Sequence, residues 1–133
     1  MAQLTSPRLA IPVSGRLATP SVSVKVVLET EREISLACRG GCLVVICELR
    51  EWDRMPGYIH STLLKFPVAK LQSREFSGGR VADVTFTSTV TRKSLREDLA
   101  GKQEVQAVAW LFDHTSGTRV EIDGHLSNVV RLP

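Results

Sequence analysis

The sequence predicts an all-β fold, an antiparallel sandwich or barrel of seven to eight short strands with one short helix and an extended N-terminal arm. Three observations carry this. Apolar and polar residues alternate at period two over several strand-length segments. Turn-forming residues punctuate the chain roughly every ten positions. Helix-start chemistry is read at one place only, Ser94 to Glu97.

Residues 1–20 read as the arm, because Pro7, Pro12 and Pro20 hold their surroundings in extended geometry. Leu4, Leu9, Ile11, Val13 and Leu17 need a surface to lie against. Residues 21–133 then read as a single β domain. In residues 21–29, Val22, Val24, Val26 and Leu28 share one face of a strand, with Ser23 and Lys25 opposite. A turn at 30–32 leads into an expected strand at 33–38 with Ile34, Leu36 and Cys38 aligned. Arg39-Gly40-Gly41 is a turn. Residues 42–49 are apolar on both faces, as in a central strand covered on both sides.

Residues 51–57 read as a loop carrying Trp52. Strands are expected at 58–66 and 68–76, separated by Pro67. After the turn at Ser77-Gly78-Gly79, residues 81–91 alternate regularly as one strand. Ala82, Val84, Phe86, Ser88 and Val90 face one way; Asp83, Thr85, Thr87, Thr89 and Thr91 face the other. Ser94-Leu95-Arg96-Glu97 has capping-box spacing and predicts a helix over 95–100, ended by Gly101. Residues 104–112 form a strand with Val105, Ala107, Ala109 and Leu111 on one side and Val108, Trp110 and Phe112 on the other. A hairpin turn at 113–117 returns the chain through 118–126, where Gly124 suggests a bulge. Residues 128–132 add a last extended piece.

The 133 residues suit one domain. With 43% hydrophobic and 23% charged residues, the chain is neither disordered nor low-complexity. The longest apolar run, residues 42–47, is far short of the ~20 residues of a membrane helix. The N-terminal segment has no apolar core of a secretory signal, so an intracellular or virion setting is expected. Three cysteines, an odd count, argue against a disulfide framework.

The net charge of +3 is mild but unevenly spread. Seven basic residues, Lys65, Lys70, Arg74, Arg80, Arg92, Lys93 and Arg96, fall in one stretch against Glu75 and Asp83. They are candidate RNA or DNA contacts through phosphate. Solvated strand faces and loops are the simpler explanation.

Cys38, Cys42 and Cys47 lack the four ligands and close pairing of a structural zinc site. Core and turn roles fit them better than a nucleophile partnered by His60, His114 or His125. Asp113-His114 and Asp123/His125 have the residue types of a metal or acid–base site. A hairpin turn at 114–117 would, however, separate the pairs by about 15–20 Å along the ladder. Nucleotide-binding loops and the nucleophile elbow are absent from the sequence. No catalytic residue, cofactor or metal is expected.

Residues 80–97 (RVADVTFTSTVTRKSLRE), a regular strand leading into a capped helix, are similar to the last strand and first helix of small RNA-phage coat proteins. The similarity covers under a fifth of the chain. Those coats end in two helices, whereas this sequence ends in a strand hairpin, and no functional residue is carried across.

The expected function is a non-enzymatic structural subunit of a larger self-assembling particle, of the viral or phage coat, tail or decoration type. A homo-oligomer or a large complex follows from it, with no membrane partner. Leu9, Ile11, Val13, Trp52 and Tyr58 are the candidate partner contacts. The alternative is an immunoglobulin-like or barrel binding module that recognises protein, RNA or a small ligand through loops around Trp52, Met55, Tyr58 and His60. A cysteine- or His/Asp-dependent enzyme ranks last.

Overall fold

In the computed structural model, which describes residues 1–39, 42–52, 62–95 and 103–132, the period-two segments pair into antiparallel sheets. The arm contributes four short strands, β1 (Gln3–Leu4), β2 (Arg8–Ala10), β3 (Val13–Ser14) and β4 (Leu17–Ala18). They are followed by β5 (Ser21–Val27), helix α1 (Glu31–Cys38), β6 (Leu43–Glu51), β7 (Thr62–Lys65) and β8 (Ala69–Leu71). The chain continues through β9 (Phe76–Ser77), β10 (Val81–Thr87), β11 (Val90–Thr91), β12 (Glu104–Asp113) and β13 (Val120–Arg131).

In the first sheet, β5 lies between β10 and the arm strands β1 and β2, and β9 borders one end of β10. The second sheet runs β13, β12, β6, with β7 and β8 end to end along the far edge of β6. The third, small sheet joins β3, β4 and β11. Its hairpin tip uses Gly15 at φ +60°, a left-handed backbone that favours glycine.

One core lies between the two large sheets. Val22, Val24 and Val26 of β5 and Ala82, Val84 and Phe86 of β10 enter it from one side. Leu43, Val45, Cys47 and Leu49 of β6 and Val105, Ala107, Ala109 and Leu111 of β12 enter from the other. Phe66 and Phe86 meet across it with ring centroids 5.8 Å apart.

Residues 1–10 belong to this core. Ala2, Leu4, Pro7 and Leu9 are buried. Their backbone pairs with β5 on one side and meets side chains on the other. Asn128 accepts the Leu9 N–H (2.8 Å) and donates Nδ2 to the Leu9 carbonyl (2.9 Å), as a neighbouring strand would. Asp123 Oδ2 accepts the Leu4 N–H at 2.9 Å. The Glu33 carboxylate accepts the Ala2 N–H.

Several expectations need correction. Residues 33–38 are helix, not strand. Thr30 caps α1 and Glu33 reaches back to the Thr30 N–H (2.9 Å), a capping box that overrides the short alternation of Ile34, Leu36 and Cys38. Residues 81–91 are two strands in two sheets. The Ser88 N–H still follows β5 by donating to the Pro20 carbonyl, and the chain then crosses so that β11 pairs with β4. Residues 68–76 are broken by a 3-10 turn over Ser73–Glu75. The helix expected at 95–100 falls mostly outside the described residues. Before it, Arg92–Leu95 form a 3-10 turn in which Ser94 bonds back to Thr91. β13 is one strand through residue 131, with register shifts on either side of Gly124 rather than at it.

Two of the acceptors that seat the arm titrate. Burial raises the carboxyl pKa of Glu33, but the N–H groups of Glu29, Thr30 and Ala2 and the Thr30 hydroxyl outweigh it, and the net shift is downward. Burial also acts on Asp123, and the Leu4 N–H, His125 and the Gly124 N–H outweigh it likewise. A folded-state pKa below the unfolded value gives stability that is present above the unfolded pKa, about 4, and is lost as pH falls through the folded one. Unfolding free energy measured by denaturant titration should therefore drop below about pH 4. The Glu33→Gln variant, compared over the same series, should drop less steeply; an identical slope would refute the assignment.

Candidate docking face

The second sheet is apolar on both sides. The odd-numbered residues of β6 and β12 fill the core, so their even-numbered neighbours face outward. The register sets Phe112 beside Val44, Trp110 beside Ile46 and Val108 beside Glu48. On β13, Leu126 lies beside Val108 and Gly124 beside Trp110. The outer face thus carries Val44, Ile46, Val108, Trp110, Phe112 and Leu126. Val44 and Val108 are buried, and Ile46, Trp110 and Phe112 are half-buried. Leu126 is 60% exposed and Val129, beside Gln106, is 38% exposed.

Charged groups rim this stripe. The Arg50 guanidinium lies 5.1 Å from the Trp110 ring centroid and bonds Glu48 (3.1 Å). Lys65 pairs with Glu48 across the ladder and Lys70 with Val44. Gly124 is what lets the indole come this close to the β13 backbone. A Cβ there would stand 2.8 Å from Trp110 Cδ1, inside any real contact.

Among the described residues, the predicted site residues do not converge on one place. Lys65 and Lys70 are exposed on the rim of this face. Arg74 is exposed in the 3-10 turn, and Arg80 in the turn before β10. Arg92 and Lys93 lie beyond the other end of β10, about 23 Å away at ~3.3 Å per residue. Arg92 bonds the Gly15 carbonyl through its side chain and the Arg16 carbonyl through its N–H, fastening β11 to the small sheet. Arg96 and Tyr58 lie outside the described residues, as do Met55 and His60. Leu9 is 3% exposed within the chain's own core, which leaves it no surface for a second chain. Ile11 and Val13 pack half-buried against that core. Trp52 is half-buried, and its N–H extends the β6–β12 ladder to the Glu104 carbonyl (2.9 Å).

Cys38 is exposed, Cys42 half-buried and Cys47 buried, all as free thiols. Burial, with the Glu48 carboxylate beside it, pushes the Cys47 thiol up to about 12. No group of three or more potential ligands is assembled for a metal among the described residues. The hairpin turn is longer than expected and a register shift follows it, so Asp123 sits opposite Leu111, about 7 Å along the ladder from Asp113 rather than 15–20 Å. The two pairs still have separate partners. Asp113 holds Thr115 and approaches Arg32 at 3.9 Å, while Asp123 holds Leu4, Gly124 and His125.

A cleft of about 830 Å³ opens between α1 and the β12–β13 hairpin, lined by Arg32, Glu33, Leu36, Asp113, Glu121 and Ile122 among others. The Glu33 carboxylate in it is committed to the arm and the helix cap.

Two outcomes follow. A thiol reagent at about pH 8 should label Cys38 first and spare Cys47 until the chain unfolds, read by peptide mass mapping. Gly124→Ala should displace the Trp110 ring and cost about 1 kcal/mol, with a shift in tryptophan emission; an unchanged spectrum would show that the close approach carries no weight.

The chain matches no protein-family model, no curated protein and no solved structure, so its functional reading rests on this geometry.

Proposed function

We propose that this chain is a non-enzymatic structural subunit that assembles with copies of itself into a larger particle of the coat, tail or decoration kind. The observation that carries the reading is the two-sided second sheet. A sheet apolar on both faces is normally covered on both. The first sheet covers the inner face. On the outer face Leu126 is exposed and Ile46, Trp110 and Phe112 are only half-buried, which leaves apolar surface for a second layer. Its composition supports the same reading. Tryptophan and arginine are favoured at the energetic centres of interfaces, and here Arg50 rests on Trp110 inside a charged rim. Leu4 and Leu9 of the arm are spent on its own domain, so they do not support assembly.

Nucleic acid as cargo is the finer part of the proposal. Lys65 and Lys70 stand beside the apolar stripe, but Arg74, Arg80, Arg92 and Lys93 are dispersed over other parts of the chain.

The test is native mass by light scattering with the 260/280 nm absorbance ratio recorded on the same peak. The expected result is a multimer far above 14.6 kDa. Leu126→Asp, a change at an exposed position, should reduce it to a species no larger than a dimer. A high 260 nm signal would add nucleic acid, and a low one would leave an all-protein assembly. A wild-type monomer at all concentrations would overturn self-assembly and leave the outer face to an unlike partner, as in a binding module.

A further inference from the structure

The described residues present four long sheet edges, and three of them are managed. The β5 edge is paired by β1 and β2. The β13 edge meets the arm, where Asp123 and Asn128 occupy the Leu4 and Leu9 backbone. The far edge of β6 is covered by two short strands that carry Lys65 and Lys70 and are separated by Pro67, residues that discourage further pairing.

The fourth edge belongs to β10. Its outer neighbour β9 reaches only Val81 and Ala82. From Asp83 to Thr87 it has no strand partner among the described residues. The register fixes which groups this leaves. Leu28 N–H donates to the Arg80 carbonyl and Ser88 N–H to the Pro20 carbonyl, so the even-numbered residues of β10 face β5. By alternation, Asp83, Thr85 and Thr87 turn three N–H and three C=O groups outward. Their side chains are exposed on the outer face of the first sheet, and the segment contains neither Pro nor Lys. It is a β-prone edge with no bulge in its pairing to β5, and its one charge is Asp83.

We infer that the β10 edge, residues 83–87, pairs antiparallel with the same edge of a second copy of this chain about a two-fold axis at Thr85. The inference rests on the assembly reading above and names one of its contacts. The occupant is argued from self-complementarity. In this register Thr85 faces Thr85, and Asp83 of each copy faces Thr87 of the other. The outward odd-numbered groups meet as hydrogen-bonded pairs, six bonds in all by the antiparallel pattern. No like charges oppose, since Asp83 lies at the two ends of the contact, where Lys25 of its own chain stands 4.0 Å away. Threonine faces threonine at the axis, a favourable cross-strand pair, and at each end a threonine hydroxyl stands opposite a carboxylate to which it can donate. The five-residue slot ends at β9 on one side and at the departure toward β11 on the other, so partner and slot have the same length.

The experiment uses Leu126→Asp to remove the outer-face contact, then measures mass by light scattering over a concentration series. The expected species is a dimer of twice 14.6 kDa. Adding Thr85→Pro should give monomer, because proline deletes an outward N–H while no bond to β5 is lost. Thr85→Lys should do the same by setting two ammonium groups face to face, and it serves if the proline variant fails to fold. Unfolding midpoints should match that of the Leu126→Asp chain after correction for dimer concentration. A monomeric Leu126→Asp chain beside a large wild-type particle overturns the edge pairing and leaves assembly standing. A dimer that survives Thr85→Lys places the contact elsewhere and overturns it as well. A wild-type monomer overturns both readings.

Discussion

The sandwich depends on how residues 1–10 are held between its sheets. An extended segment inserted there must satisfy N–H and C=O groups on two sides, because buried backbone polar groups are costly when unpaired. On one side, strand β5 does this by ordinary pairing. On the other, side chains stand in for a strand: Glu33 for Ala2, Asp123 for Leu4, Asn128 for Leu9. Only with those bonds made can Ala2, Leu4 and Leu9 fill the open side of the core, each 3% exposed or less. Glu33 ties a second element to the same point, since the carboxylate that receives the arm also closes the capping box of α1. The helix start and the arm seat are thus one polar node.

With Leu4 and Leu9 of the arm seated, two outward-facing features among the described residues are the apolar stripe of the second sheet and the free stretch of β10. They differ in kind. An edge pairing about a two-fold axis is self-limiting, because each chain has one such edge and two chains use both. A face contact is governed by packing of side chains and imposes no such limit. Together, two unlike contacts on one chain suffice for a particle larger than a dimer, which neither achieves alone when both are two-fold.

Much of this was legible in the sequence, for physical reasons that differ by element. β5, β10 and β12 carry uninterrupted alternation because each has one face in the core, and period two follows directly from the pleat. The double-sided character of β6 and β12 was also readable, since apolar residues occupy both parities. Three features were hidden. Helix α1 is eight residues long, too short for period 3.6 to separate from period two, so Ile34, Leu36 and Cys38 mimic a strand; the capping pair Thr30 and Glu33 was the available signal. The break after Thr87 leaves no mark, because Val90 continues the same parity while pairing in another sheet. The arm's apolar residues were visible, but not their acceptors, which lie about 120 positions away at Asp123 and Asn128.

The two tryptophans show why a site is harder to read than a fold. Trp52 stands among turn residues and invites a loop-binding role. Trp110 stands in a regular strand and looks like core. Register reverses the emphasis. Trp110 falls on the outward parity, opposite the one residue of β13 without a side chain, and beside an arginine that can lie over its ring. A glycine in the middle of a twelve-residue strand is unfavourable for the strand itself. Its place there is explained once the indole needs that space: Gly124 and Trp110 are a matched pair, and the flat aromatic surface they make is available to the outside of the sheet rather than to its core.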